Sequence, residues 1–101
     1  MTNMKFGLTQ SEYDFILNQV VEPLRSRGAI VWCFGSRARG DYQKFSDLDL
    51  MVESEEDLSG TLSSLRELVE ESNFPYKIDL AQKKYFASSY LSGFERDKLL
   101  F

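Results

Sequence analysis

Histidine is absent from this chain of 101 residues, and that absence narrows its chemistry more than any residue present. Zinc sites built on histidine, Ser-His-Asp triads and Cys-His pairs are all excluded. Cysteine is nearly absent too. Cys33 is alone, so it forms no internal disulfide, and its place in an apolar stretch reads as core packing rather than as a nucleophile. No apolar run approaches the ~20 residues that span a bilayer. The start, MTNMKFGLTQSEYD, lacks the apolar stretch of a signal peptide, so the expected location is the cytoplasm, with no membrane partner. Positive charge is also scarce: 12 Lys and Arg face 16 Asp and Glu, a net charge of −4. The basic residues in RSRG and GSRARG are few and local. Extended nucleic-acid binding is therefore not expected, and a small phosphate ligand suits the charge better. The chemistry must run on carboxylates, hydroxyls, backbone amides and arginine.

What is present is ordinary in bulk, with 43% hydrophobic and 28% charged residues. The length suits one domain over residues 1–101 with one core and one principal site. Thr9-Gln-Ser-Glu12 has the form of a capping box. Behind it Ile16, Leu17, Val20, Val21 and Leu24 recur with helical period, Pro23 should kink or loosen the last turn, and Gly28 ends the segment. Ala29–Phe34 reads as a buried strand, broken by Gly35-Ser36, and Leu48–Val52 as a second strand. Leu58, Leu62, Leu65, Leu68 and Val69 mark an amphipathic helix. A turn at Asn73–Tyr76 leads to a third strand, Lys77–Ala81, followed by a short helix around Tyr85–Gly93 and a weakly marked Leu99–Phe101. This order predicts an α/β (α+β) fold, a small mixed sheet with helices packed on one face.

The chemistry concentrates between Gly35 and Leu50. The first strand ends in Gly35-Ser36, where a glycine lets a ligand approach the backbone and the N–H groups of a short helix favour phosphate. The Ser36 hydroxyl adds a donor, and Arg37 and Arg39 can bring positive charge to a polyphosphate. Asp47 and Asp49 stand at i and i+2 on a strand, so both leave the same face while Leu48 and Leu50 turn to the core. Two carboxylates ~4 Å apart repel by about 4 kcal/mol at an effective dielectric of ~20, a cost that a hard cation such as Mg²⁺ removes. Asp79, between Ile78 and Leu80, repeats the pattern. If its strand pairs beside Leu48–Val52, three carboxylates meet, enough for two metal ions that clamp the attacking and leaving oxygens of an in-line displacement. Each feature alone has a bland reading, as a loop, a solvated edge strand or a structural aspartate. Asp47 follows Ser36 by eleven positions, and the combination is hard to ascribe to accident.

Gly35-Ser36, Ser46-Asp47-Leu48-Asp49-Leu50 and Ile78-Asp79-Leu80 resemble the nucleotidyltransferase superfamily related to DNA polymerase β. The likeness is nearest to its minimal nucleotidyltransferase (MNT) members, where a GSRARG stretch precedes an SDLDL strand, and covers about residues 9 to 82. It implies that Gly35 and Ser36 hold the triphosphate, with Arg37 and Arg39 in the basic positions. Asp47 and Asp49 would bridge two Mg²⁺ ions, and Asp79 would be the third ligand and a candidate base. ATP is the expected donor. Larger relatives carry further domains for base or acceptor, whereas about twenty residues follow Asp79 here, so the acceptor surface is expected on another chain. The resemblance implies a small helical HEPN protein, paired as substrate-binding subunit or as the toxin of a toxin–antitoxin module in which the MNT protein adenylylates a tyrosine. Transfer to a small molecule or RNA, and a binding-only antitoxin with a vestigial site, are the alternatives. Elsewhere, Glu53–Asp57 reads as a solvated loop before a helix, Ser46 as a turn-shaping residue, and Trp32 and Phe34 as packing residues. Tyr85, Phe86, Tyr90, Leu91 and Phe94 suggest core packing first and a partner surface second.

Overall fold

The capping box closes in the computed structural model, which describes residues 5–101. The Thr9 hydroxyl accepts from the Glu12 amide at 3.2 Å, and the Glu12 carboxylate accepts from the Thr9 amide at 2.9 Å. Two donors that the first turn would leave unpaired are thus satisfied, and α1 runs over Gln10–Ile16. Pro23 then acts upstream of itself. It offers no N–H and crowds the carbonyl four residues back; the chain widens into a π-helical turn at Leu17–Val21 before α2, Glu22–Arg25. The apolar stripe survives this change, for Ile16, Val20, Val21 and Leu24 are all fully buried.

The remaining elements are β1 (Ile30–Phe34), α3 (Gly35–Arg39), β2 (Leu48–Glu53), α4 (Ser59–Glu70), β3 (Ile78–Gln82), a 3₁₀ turn at Lys83–Tyr85, α5 (Ser88–Asp97) and β4 (Leu99–Leu100). The sheet has the order β3-β2-β1-β4. It is mixed, as expected: β1 runs antiparallel to β2 and to β4, while β2 and β3 are parallel. The weakly marked C-terminal residues become the short edge strand β4, and Phe101 is tied back by its amide to the Val31 carbonyl at 3.1 Å.

Register fixes which side chains share a face, because successive residues of a strand alternate. Cys33, Leu50 and Leu80 form one row and Leu48 with Ile78 another, all on the face covered by α1, α2 and α4. Cys33 is buried there and burial pushes its thiol up to about 12, the state of a packing residue. The opposite face carries Phe34, Asp49 and Asp79 in one row, then Trp32, Met51 and Ala81 in the next. Helices on one face therefore describe α1, α2 and α4 but not α5. Its Phe94 is buried edge-on against Phe34, with ring centroids 5.5 Å apart, on the acidic face. The physical reason is that Phe34 and Met51 turn apolar surface to that side and need a cover. No helix among the described residues is long and apolar enough to cross a membrane.

Candidate active site

Asp49 and Asp79 are register partners across parallel strands. Neighbouring strands lie about 4.8 Å apart, so two carboxylates leave one face side by side. The strand pairing on which a three-carboxylate site depended is present. Asp47 lies just before β2, two positions from Asp49, and is exposed in the loop that leads into the strand. Asp49 is half-buried, Asp79 exposed. Among the described residues no lysine or arginine forms an ion pair with any of the three.

That lack of compensation shows in the titration of Asp49. Burial, then the neighbouring Asp79 and Asp47 charges, push its pKa up to about 6, against a weaker opposing pull from Arg39 and Arg37. The donor set is hard, anionic and unneutralised, which fits a divalent cation with oxygen preference. The side chains do not yet converge, however: among the described residues no group of three carboxylates stands in metal-holding array. Asp49 and Asp79 are set by the sheet, and Asp47 sits on the loop before it.

Gly35 explains why Asp49 has room. At φ +73° it adopts a left-handed conformation that side chains disfavour. A Cβ at this position would run into the Asp49 carboxylate oxygen. The backbone of the β1–α3 corner is thus pressed against the acidic row. Ser36 follows at the start of α3, whose N-terminus carries no side-chain cap. Gly40, at φ +91°, ends the helix.

The two arginines, between which the sequence leaves the phosphate contact open, part company. Residues two apart on a helix point about 200° away from each other, a signal already available in GSRAR. Arg37 is 2% exposed. Its Nε donates to the Ser46 carbonyl at 3.0 Å, and its Nη1 donates to the Phe6 and Gly7 carbonyls at 3.0 and 3.3 Å. The guanidinium lies 4.1 Å from the Tyr76 ring and 5.2 Å from Tyr42, so ring faces take the place of a counter-ion. It also holds Phe6, a non-glycine residue at φ +58°, in a conformation worth roughly 1–3 kcal/mol of strain. Arg37 is a tie between the N-terminal turn, α3 and the loop before β2. Arg39 faces outward and pairs with Asp41 at 3.2 Å and Asp97 at 3.1 Å. Ser46 shapes its turn as expected, its hydroxyl accepting from the Gln43 amide at 2.8 Å.

The sequence model described as a nucleotidyltransferase domain matches residues 16–100, and the chain belongs to that family. It is 32% identical over 97 residues to a Methanocaldococcus jannaschii protein provisionally named protein adenylyltransferase MJ1379, covering 92% of this chain and 97% of that one. It is 47% identical over 51 residues to the "Probable protein adenylyltransferase MntA" of Haemophilus influenzae; that match spans 50% of this chain and 45% of the relative. A crystal structure of a provisionally named nucleotidyltransferase from Sulfolobus solfataricus superposes with a TM-score of 0.47 at 23% identity, covering 91% of this chain and 83% of that one.

Two outcomes are expected from this geometry. Arg37→Lys leaves carbonyls without their donors and removes a flat cation from two rings, a loss of roughly 2–4 kcal/mol; thermal unfolding should shift down by about 10 °C or more. For Asp49 the folded pKa exceeds the unfolded one, so its ionisation costs stability as pH rises from about 4 through 6. Fully realised the rise is worth about 3 kcal/mol, and solvent at this half-buried group screens it to roughly 1 kcal/mol. Asp49→Asn should therefore raise the Tm of cation-free protein at pH 7 by several degrees and leave it nearly unchanged at pH 4. An equal shift at both pH values would contradict the charge argument.

Proposed function

We propose that this chain is a single-domain adenylyltransferase that uses Mg²⁺ to move AMP from ATP to a hydroxyl. The acceptor in this reading is a tyrosine of a small helical HEPN-type partner, which the modification silences as part of a cytoplasmic toxin–antitoxin pair. The observation that carries the chemistry is the Asp49–Asp79 row pressed against Gly35. The protein acceptor is supported by the two relatives named as protein adenylyltransferases.

In this reading Asp49 and Asp79 would hold the cation from their strand positions, with Asp47 of the preceding loop as the third ligand. Mg²⁺, as one or two ions, supplies Lewis acidity and neutralises charge at the reacting phosphate. Gly35 and Ser36 receive the polyphosphate at the corner where β1 becomes α3. Arg39 supplies positive charge, exchanging its exposed bond to Asp41 for a phosphate oxygen while keeping its tie to Asp97; exposed ion pairs are worth about 0–1 kcal/mol and are readily traded. The acceptor oxygen forms a bond to the α-phosphorus as the bond to pyrophosphate breaks. Its proton leaves to the Asp79 carboxylate or to solvent. Little acid–base work is asked of the protein, consistent with a chain that has no histidine.

The test is label transfer from α-labelled ATP with Mg²⁺ and a lysate of the source organism, comparing wild type with Asp49→Asn. A labelled protein band that weakens by about 100-fold or more in the variant is expected. Label on RNA or a small molecule would redirect the acceptor, and no label on any acceptor would contradict the transferase reading.

A further inference from the structure

The face that carries the acids also carries an aromatic cleft that the transfer chemistry leaves unused. Phe34 sits in the same row as Asp49. Phe86 and Phe94 pack edge-on to it at 5.9 and 5.5 Å, and Tyr90 leans on Phe86 at 6.2 Å with its ring tilted by 54°. Phe94 is buried, as core packing requires, but Tyr90 is 67% exposed and Phe86 only half-buried. With Gly35 and Arg39 these rings line a cavity of about 240 Å³.

Size and wall chemistry say what such a cleft takes. Pockets that enclose a whole drug-sized ligand start near ~300 Å³, so this one suits a single ring system with the rest of its ligand outside. One wall belongs to the proposed phosphate corner, Gly35 and Arg39, and the other offers ring faces. A molecule with a polyphosphate at one end and a flat ring at the other matches both walls. The polar groups that could read the edge of a ring are occupied with one another: Asp97 accepts from Arg39 at 3.1 Å and from Arg96 at 3.0 Å.

We propose that this cleft is the nucleobase subsite, in which the base of the donor triphosphate stacks on Tyr90 and Phe86 and is gripped by its face rather than its edge. The inference rests on the nucleotidyl-transfer reading and goes beyond it in two ways. It assigns α5 a part in donor binding, and it makes the enzyme tolerant of which purine the donor carries. Every base has a π-face, and stacking strength follows ring size more than hydrogen-bonding pattern.

The experiment is calorimetric binding of ATP, GTP and inorganic tripolyphosphate, each with Mg²⁺, to wild type, Tyr90→Ala and Tyr90→Trp. Tyr90 is largely exposed, so these changes spare the core, and circular dichroism confirms the fold. Wild type is expected to bind ATP and GTP within about threefold of each other and tripolyphosphate about tenfold more weakly. Tyr90→Ala should lose about tenfold in ATP affinity and nothing in tripolyphosphate affinity, and Tyr90→Trp should retain ATP. Equal binding of ATP and tripolyphosphate by wild type would overturn the base subsite while leaving the phosphate reading intact. So would an unchanged ATP affinity in Tyr90→Ala, and loss of label transfer at that unchanged affinity would give the cleft to the acceptor. Strong preference for ATP over GTP would overturn the face-on grip. Binding of neither ATP nor tripolyphosphate would remove the nucleotide reading and this inference with it.

Discussion

Two carboxylates are held side by side in this fold because the opposite faces of their strands leave no other choice of register. Leu48, Leu50, Ile78 and Leu80 are buried together under the helices, each worth about 1.5–3 kcal/mol in removal from water. A slip of one residue between β2 and β3 would turn the leucines outward and the acids into the core. Against that, the mutual repulsion of Asp49 and Asp79, screened at a half-open surface, is roughly 1 kcal/mol. Burial wins, and the acidic row is imposed on the molecule. The site is thus a by-product of the core pattern, a stored electrostatic cost that a cation can relieve.

The β1–α3 corner gives the row its neighbours. Gly35 brings the backbone against Asp49, and two residues later Arg37 turns inward to tie Phe6, Gly7 and Ser46. One five-residue helix therefore joins three otherwise separate segments and positions the loop that carries Asp47. Arg37 acts on the acids only at a distance, lowering the Asp49 pKa less than burial and the two aspartates raise it. Arg39, on the outer side of the same helix, is paired with the exposed Asp41 and the more covered Asp97. The same short run of sequence supplies one cation buried for structure and one turned to the surface.

Much of this was legible in the residues themselves. Thr9 and Glu12 announce the first helix, since a capping box is a local interaction. The alternation of Leu48-Asp49-Leu50 and Ile78-Asp79-Leu80 states which side chains face water, while the pairing of the two strands stayed a condition that only the structure meets. Two features were not legible for a common reason: each depends on a partner distant in sequence. The burial of Arg37 rests on Tyr76 and the Phe6 turn, although the opposed helical positions of Arg37 and Arg39 already set them on different sides of the helix. The place of α5 on the acidic face follows from the Phe34–Phe94 contact, which periodicity does not encode. The widening at Leu17–Val21 is a local response to Pro23, and there the sequence indicated a disturbance but not its form. Tyr90 read as core by its spacing, and only its exposure separates it from Phe94.

In the proposed reading Asp49 and Asp79 together take a cation on the sheet. The most direct test is the thermal stability of wild type and Asp79→Asn in a Mg²⁺ or Mn²⁺ titration at pH 7, without nucleotide. A cation that binds only the folded chain adds about 2.7 kcal/mol at a hundredfold excess over its Kd. That corresponds to a rise of roughly 10 °C or more for a domain of this size. The account predicts a saturating rise in wild type and a flat line in Asp79→Asn. An equal rise in both proteins, or none in either, would contradict it.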